Sequence, residues 1–269
     1  MFYSGARWYY SIVDTLAKTV ASSDIKTRFA GIRLGIVCPM ANEAATAIRF
    51  VDAVLDECAN QPFQSVIFFA VVDHVSRDDT RALLERHQAR RPQLRVVWAP
   101  ETQGVADAYV RGYREALAAD CDWILEIDAG FSHEPSDISR FLEAMTDQTD
   151  CIFGSRFLEG GKNRGTFQRR LISRGGTVLT NLLLGTTLSD MTSGFQLFSR
   201  EALTAALARG ISSKGPFFQT ELKFHCRNLR VVEIPIQYNA ASHSVGREAL
   251  RESLINLYRL ARHRVAGDA

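Results

Sequence analysis

The sequence contains no hydrophobic run long enough to cross a membrane. Its longest uninterrupted apolar stretch, residues 66–72, is far shorter than the roughly 20 residues that a membrane-spanning helix needs. The N-terminus lacks the clean apolar segment of a signal peptide, and neither internal repeats nor low-complexity segments occur. We therefore expect a protein that is cytoplasmic, either soluble or in peripheral contact with a membrane.

The sequence also lacks a strong net charge and any C-x-x-C pair. Its 32 basic and 30 acidic residues leave a net charge of +2, which excludes a protein that binds nucleic acid through its overall charge. Any anion site must therefore come from a local cluster of basic residues. The five cysteines predict buried free thiols in a reducing compartment.

What the sequence does have is an alternation of strand and helix patterns. Its 269 residues, of which 46% are hydrophobic and 23% charged, leave room for one large α/β domain. Runs of apolar and β-branched residues predict strands at residues 32–38, 65–73, 94–99, 123–128, 151–153 and 231–238. Helical patterns separate the first four strands, which predicts a parallel, doubly wound sheet.

Polar or small residues follow the predicted strands where each strand ends. They occupy residues 39–43, 73–76, 103–104 and 128–132. Because the carboxyl ends of parallel strands gather at one edge of a sheet, we expect a ligand-binding cleft there. Asp128 is central to it, since it ends a buried strand shortly before Pro135, which is predicted to begin a helix. An aspartate that only caps a turn is the alternative interpretation.

Residues 162–174 contain basic side chains and no acidic one. The basic residues are Lys162, Arg164, Arg169, Arg170 and Arg174. A charge run is commonly a solvated face of a helix or strand. Because this one includes a glycine and precedes an apolar helical pattern, we favour an anion-binding loop.

Both ends of the chain carry amphipathic helical patterns. Residues 1–30 predict a helix that packs on the domain or on a second subunit of a homodimer. Residues 246–264 predict a basic helix, for which packing on the core and a peripheral membrane contact both stay open. We therefore divide the chain into an N-terminal helical extension (1–30), one α/β domain (31–245) and a C-terminal helix (246–269).

Short motifs occur in a fixed order along this domain, beginning with Pro-Met-Ala-Asn-Glu and including Asp-Ala-Gly after the fourth strand. They lie at residues 39–43, 72–80, 104–116, 128–135, 154–157, 172–175, 190–195, 218–221 and 233–236. Each motif is weak, but together they resemble the family 2 glycosyltransferases of the GT-A fold. The resemblance is closest to the branch of dolichyl-phosphate mannose synthase and polyprenyl-phosphate glycosyltransferases, and it covers residues 32–247.

This resemblance implies a mostly parallel α/β sheet flanked by helices and an inverting transfer from a nucleotide-diphosphate sugar to an acceptor, here a polyprenyl phosphate. It implies a donor site made of Pro39, Asn42, Glu43, Asp73, Gly104, Ala108, Asp128, Ala129 and Gly130. Asp128 would also bind the Mg²⁺ or Mn²⁺ ion that neutralises the leaving diphosphate. The implied catalytic residues are Asp128, Arg156 and Glu221. The implied acceptor or phosphate contacts are Arg156, Arg169, Arg174, Gln219 and Arg247.

Four positions depart from the family pattern, one of them Arg247, which stands where the family usually has a lysine. Gly130 replaces the second acid of the D-A-D motif, which implies weaker metal binding or a catalytically impaired relative, unless another acid such as Glu126 compensates. His74 replaces the second acid of the base-binding motif and would alter the base preference. Ala241 replaces a usual arginine, which leaves a soluble hydroxyl acceptor open. Glu221 would then be the general base, although it would equally suit a buried acid paired with one of the loop arginines.

Overall fold

The computed structural model describes residues 28–239 and 246–266. Its strands are β1 (Arg33–Pro39), β2 (Ser65–Val72), β3 (Leu94–Trp98), β4 (Trp123–Glu126), β5 (Cys151–Ser155), β6 (Lys162–Asn163), β7 (Gln196–Ser199), β8 (Val231–Pro235) and β9 (Gln237–Tyr238). In this part of the chain, one sheet has the order β3-β2-β1-β4-β7-β5-β8, and β6 pairs with β9. All neighbours in the large sheet are parallel except β7, which is antiparallel to β4 and β5.

Helices cover the sheet, as the alternating pattern predicts. They are α1 (Ala47–Ala59), α2 (Thr80–Gln88), α3 (Val105–Ala118), α4 (Ile138–Ala144), α5 (Phe167–Leu184), α6 (Arg200–Ala208), α7 (Phe218–His225) and α8 (Arg247–Ala266). A 3₁₀ turn that begins at Pro135 leads into α4. None of the helices in the described ranges is both long and apolar enough to span a bilayer. The predicted α/β fold with a mostly parallel sheet is confirmed.

The central strands are buried on both faces because helices lie on each side. Ile36 of β1 packs in one cluster with Phe50 of α1 and Phe141 of α4. Its neighbour Val37 points to the opposite face and packs in a second cluster with Tyr113 of α3. Apolar side chains are therefore required at successive positions, which is why the strands read as continuous apolar runs.

Two elements differ from the sequence-based expectation. The sequence pattern does not predict strand β7. All four of its residues are buried, but the polar Gln196 and Ser199 interrupt the apolar run that indicates a buried strand. The predicted strand at 231–238 is two strands, since β8 pairs with β5 and β9 pairs with β6 in the smaller sheet.

The basic segment is also mostly helical, so the prediction of a loop is wrong for residues 167–174. These residues form the start of α5. The hydroxyl oxygen of Thr166 accepts a hydrogen bond from the backbone amide of Arg169 and thereby caps the helix. Only residues 164–166 of the segment lie between β6 and the helix.

The predicted C-terminal helix is present as α8, but its buried face differs from the expected one. Leu257 and Leu260 pack against Leu184 of α5 and residues of α7. Leu254, which the sequence pattern placed on the packing face, is 59% exposed. The helix predicted within residues 1–30 falls almost entirely outside the described residues.

Two helical glycines give a matched test of packing. A β-carbon at Gly112 of α3 would clash with Val37 and lie 2.9 Å from a methyl group of Val71. A β-carbon at Gly175 of α5 would meet nothing within 4 Å. We expect Gly112→Ala to lower the free energy of unfolding by about 1–3 kcal/mol. Gly175→Ala should raise it by about 0.5–1 kcal/mol, because alanine favours the helix. Urea denaturation of both variants checks this, and equal effects would contradict it.

Candidate active site

The ends of three neighbouring parallel strands bring the predicted donor-site segments together. In the pairing of β1 with β4, Val37 lies opposite Glu126, and in the pairing with β2, Pro39 lies opposite Val71. The chain therefore leaves all three strands at the same edge of the sheet. The loops that follow carry Asn42 and Glu43, Asp73, and Asp128.

Asp128 lies two residues beyond the end of β4, with its side chain 39% exposed. The hydroxyl of Tyr109 donates a hydrogen bond of 2.6 Å to its Oδ1 atom. The Nε2 atom of His133 lies 3.4 Å from its Oδ2 atom. Burial alone would raise the pKa of Asp128, but His133, Tyr109 and the charge of Arg156 together lower it below its ordinary value. Asp128 is therefore a carboxylate at neutral pH.

Tyr109 and His133 were not singled out from the sequence. Tyr109 stacks on Tyr113, one helical turn along α3, and on Phe218 of α7. The sequence places Tyr109 on the face of α3 that packs on the sheet. Because a buried tyrosine hydroxyl needs a hydrogen-bond partner, this position could have indicated a polar contact there. His133 is 1% exposed, and neither ring nitrogen has a hydrogen-bond partner among the described residues.

Asp73 ends the second strand segment and is almost completely buried. Its Oδ1 atom accepts a 2.9 Å hydrogen bond from the amide of Val75, and the hydroxyl of Thr102 donates to Oδ2 over 3.3 Å. The side-chain amide of Asn42, by contrast, is hydrogen-bonded to two backbone groups of the neighbouring loop. It donates to the carbonyl of Val75 and accepts from the amide of Arg77. Asn42 therefore joins the loops after β1 and β2.

The remaining small residues of the predicted donor site shape the backbone around it. Pro39 ends β1, and Ala108 is buried in α3. Gly104 precedes α3, and a β-carbon there would lie 3.1 Å from the carbonyl oxygen of Lys214. Ala129 is partly buried against the core beside Asp128. Their side chains offer no charged or polar group to a ligand.

Glu43 lies against Gly130. Gly130 has a φ of +75°, and a β-carbon added to it would lie 3.1 Å from both carboxylate oxygens of Glu43. The hydroxyl of Thr46 donates to the Oε2 atom of Glu43. Burial raises the pKa of the nearby Cys38 thiol, and the charges of Asp128 and Glu43 add to that increase. The carboxylate of Glu43 therefore lies beside the loop that carries Asp128.

These groups fit a divalent cation held mainly by its substrate. Asp128 and Glu43 offer the hard oxygen ligands that Mg²⁺ and Mn²⁺ prefer. No group of three or more His, Cys, Asp or Glu side chains able to hold a metal occurs within residues 28–239 and 246–266. Mg²⁺ commonly uses one or two carboxylates and completes its shell with water and substrate phosphates.

Glu126 does not contribute to this site. It is fully buried and accepts hydrogen bonds from Tyr113, from Gln196 over 3.2 Å and from Gln219 over 3.0 Å. Burial raises its pKa to about 8, against the opposing effect of these hydrogen bonds. Gln219, which was predicted to contact phosphate, is occupied by this buried contact instead.

Arg156 forms a buried two-pronged ion pair with Asp190. Its Nε atom lies 2.7 Å from Oδ2 and its Nη2 atom 2.9 Å from Oδ1, and Nη2 also donates to the hydroxyl of Thr192. Burial alone would raise the pKa of Asp190, but the charge of Arg156 lowers it to about 2. The guanidinium of Arg156 lies 5.2 Å from the ring of Tyr238, whose centroid is 5.3 Å from that of His133 beside Asp128, so Arg156 links this pair to the cleft.

Beside Arg156 a groove of about 740 Å³ runs along α5. Its basic residues are Arg156, Arg170 and Arg174, and its apolar residues are Phe157, Phe167, Leu171, Val178, Leu179 and Leu182. Several of the apolar side chains are strongly exposed, with Phe167 at 73% and Leu171 at 62%. Arg174 lies over the Phe157 ring, and Arg169 donates a 2.9 Å hydrogen bond to the hydroxyl of Tyr238.

The structure separates Glu221 from the cleft. Its carboxylate accepts hydrogen bonds from the backbone amides of Ser212 and Ser213, and Arg259 of α8 lies 2.6 Å from its Oε1 atom. Glu221 is therefore a buried structural acid, as its alternative interpretation had it, although its arginine comes from the C-terminal helix. Arg247 begins α8, and its side chain lies outside the described part of the chain.

Comparisons with known proteins agree with this geometry. The model of the family named Glycosyl transferase family 2 matches residues 35–206. Undecaprenyl-phosphate mannosyltransferase of Micrococcus luteus is 35% identical over 172 residues, which cover 62% of this chain and 70% of that protein. Polyprenol monophosphomannose synthase of Mycolicibacterium smegmatis is 29% identical over 229 residues, which cover 82% of this chain and 84% of that protein.

Among solved structures, glucosyl-3-phosphoglycerate synthase of Mycobacterium tuberculosis has the same fold. Its complex with Mn²⁺, UDP-glucose and phosphoglyceric acid matches with a TM-score of 0.65 and 19% identity, over 89% of this chain and 83% of that one. The predicted GT-A fold is thereby confirmed. Since the family model covers well over half of the sequence, the chain belongs to glycosyl transferase family 2.

Proposed function

We propose that this glycosyltransferase moves a sugar, with inversion, from a nucleotide-diphosphate sugar to a polyprenyl phosphate, with the help of Mg²⁺ or Mn²⁺. The names of both sequence relatives pair mannose with a phosphorylated polyprenyl lipid. They favour a lipid phosphate over a soluble hydroxyl acceptor, and mannose is the first sugar to test.

The observation that carries this proposal is the groove along α5. It combines exposed apolar side chains with three arginines and adjoins the cleft through Arg156, which packs on Tyr238 next to His133. An isoprenoid chain suits the apolar wall, and guanidinium groups suit its phosphate. The exposed Phe167 and Leu171 would also bring the mouth of the groove against a lipid surface. This gives the peripheral membrane contact a physical basis.

The donor fits the opposite side of the cleft. The buried Asp73 is suited to orient the nucleoside, because its position is fixed by Val75 and Thr102. Asp128 is suited to hold the cation at the diphosphate, because its pKa is lowered and part of its carboxylate is exposed. When bound, the cation neutralises charge that builds up on the leaving diphosphate.

A phosphate acceptor also agrees with the burial of Glu221, because such an acceptor needs no general base. In the proposed reaction a phosphate oxygen forms a bond to the anomeric carbon, while the bond from that carbon to the diphosphate oxygen breaks. A phosphate is already an anion at neutral pH and needs no strong general base. Glu221, the predicted general base for a hydroxyl acceptor, is buried and hydrogen-bonded elsewhere.

The experiment is a product screen by mass spectrometry with purified protein. UDP- and GDP-sugars are each supplied with undecaprenyl phosphate or with undecaprenol, in the presence of Mg²⁺, Mn²⁺ or chelator. We expect a glycosylated lipid phosphate that chelator abolishes. Transfer to undecaprenol with none to undecaprenyl phosphate would contradict the proposal, as would full activity in chelator.

Leu171 tests the groove directly. We expect Leu171→Asp to raise the KM for undecaprenyl phosphate by about 10- to 100-fold, because a contact of about 1.5–3 kcal/mol with the isoprenoid is lost. The KM for the donor should stay within about twofold. Leu229→Asp is the matched control, since Leu229 is also exposed but lies outside the groove. Equal effects of the two changes on the lipid KM would contradict this assignment.

A further inference from the structure

Glu43 and Gly130 are neighbours because their strands are neighbours. Glu43 follows β1, Gly130 follows β4, and these strands pair in parallel. The result is that the carboxylate of Glu43 faces the α-carbon of Gly130, with both oxygens 3.1 Å from the position a β-carbon would take.

A side chain at residue 130 would crowd the carboxylate of Glu43 in its present position. Contacts of 3.1 Å would require Glu43 to shift by a few tenths of an ångström, and an added carboxylate would also repel Glu43. The φ of +75° at Gly130 further favours glycine there. The D-A-D pattern has an acidic residue where this chain has Gly130. The carboxylate of Glu43 lies in the space that this acidic side chain would take.

We propose that Glu43 supplies the second carboxylate of the cation site, beside Asp128, in place of the side chain missing at Gly130. This inference rests on the proposed function, because it requires the divalent cation of the donor complex. It assigns Glu43 a role as a metal ligand rather than a contact to the nucleoside alone.

The contacts of Glu43 leave it able to act in this way. Among residues 28–239 and 246–266, no salt bridge engages it. In the described residues its side chain accepts one hydrogen bond, from the hydroxyl of Thr46. The contacts of Glu43 at the start of α1 are made by its backbone, because its amide donates to Thr80 and its carbonyl accepts from the amide of Ala47. Glu126, the other candidate, is enclosed by three donors.

His133 is a second observation that points to a ligand here. It is 1% exposed, and its Nε2 atom approaches Asp128 to 3.4 Å without forming a hydrogen bond. A buried polar nitrogen without a partner is costly. Water or phosphate oxygens around a cation at Asp128 would provide that partner.

Mn²⁺ binding provides the test, measured by the loss of the electron paramagnetic resonance signal of free Mn²⁺ in the presence of UDP and, separately, GDP. We expect Glu43→Gln to weaken Mn²⁺ binding by at least about tenfold. Glu43→Ala should do the same, and Gly130→Asp alone should not tighten binding. In the double variant Glu43→Ala/Gly130→Asp the new carboxylate has room, and we expect affinity within about threefold of wild type.

Two control variants separate ligation from support of the helix start. Thr46→Val removes the hydrogen-bond partner of Glu43 but keeps its carboxylate, so wild-type Mn²⁺ affinity is expected. Glu57→Gln neutralises an acid at the far end of α1 and should also bind normally. Thermal melting confirms that each variant is folded.

The Mn²⁺ measurements test the role of Glu43 separately from the proposed cation site. Wild-type affinity in Glu43→Gln, or a double variant no better than Glu43→Ala, overturns the role of Glu43 while leaving the cation site intact. Absence of Mn²⁺ binding by the wild-type protein with either nucleotide overturns the proposed cation site itself. Weak binding in Thr46→Val equal to that in Glu43→Gln would assign Glu43 to helix support.

Discussion

Asp128→Asn is expected to lower kcat/KM for sugar transfer by about 10²- to 10³-fold and to abolish cation-dependent donor binding. Asparagine keeps the shape of the side chain and one oxygen that can accept from Tyr109. It removes the negative charge, which is the property that a cation at the diphosphate requires. Steady-state assays and calorimetric titration of nucleoside diphosphate with Mn²⁺ measure both effects.

Asp122→Asn is the matched control for this change. Asp122 precedes β4, at the opposite end of the strand from Asp128, and accepts a hydrogen bond from the amide of Arg33. We expect its transfer activity to stay within about twofold of wild type. Wild-type metal-dependent affinity in Asp128→Asn would remove Asp128 from its proposed role, whatever the control shows.

Asp190→Asn is expected to lower the free energy of unfolding by about 3–5 kcal/mol. The change leaves the buried Arg156 guanidinium without its countercharge. Asp150→Asn is the control, because Asp150 forms a similar two-pronged pair with Arg230 at an exposed site. That change should cost no more than about 1 kcal/mol. Chemical denaturation at pH 7 compares the two, and similar losses would contradict the buried-pair assignment.

The effect of Asp190 depends on pH in a defined direction. Because the pKa of Asp190 in the folded protein is lowered to about 2 from an ordinary 3.8, its ionisation stabilises the fold above about pH 4. That stabilisation is lost as the pH falls through 2. The difference in unfolding free energy between wild type and Asp190→Asn should therefore narrow between pH 4 and pH 2. A difference that stays constant over this range would show that charge is not the cause.

The strands of the first half were predictable because both of their faces are buried. Such strands need apolar residues at every position, and that produces the runs at 32–38 and 65–72. β7 escaped prediction because Gln196 carries a polar side chain into the core, where its partner is Glu126. No local pattern encodes a contact between residues 70 positions apart in the chain.

Some of the predicted site residues lie at the cleft, and others are buried away from it. Asp73 and Asp128 lie where the strand ends placed them, since parallel strands must deliver their ends to one edge. Gln219 and Glu221 carry polar groups that turned inward, to Glu126 and to Arg259. Which side of α7 faces the core depends on how the helix packs, and a motif of four residues does not determine that.

The sequence by itself determined the α/β class of the fold and the edge of the sheet at which the candidate site lies, because burial on both faces of the strands and their alternation with helices follow from local patterns. Only the tertiary structure decided which side chains share that edge. Tyr109 and His133 reach Asp128, and Glu43 lies against Gly130, because helix packing and the pairing of β1 with β4 bring these segments together.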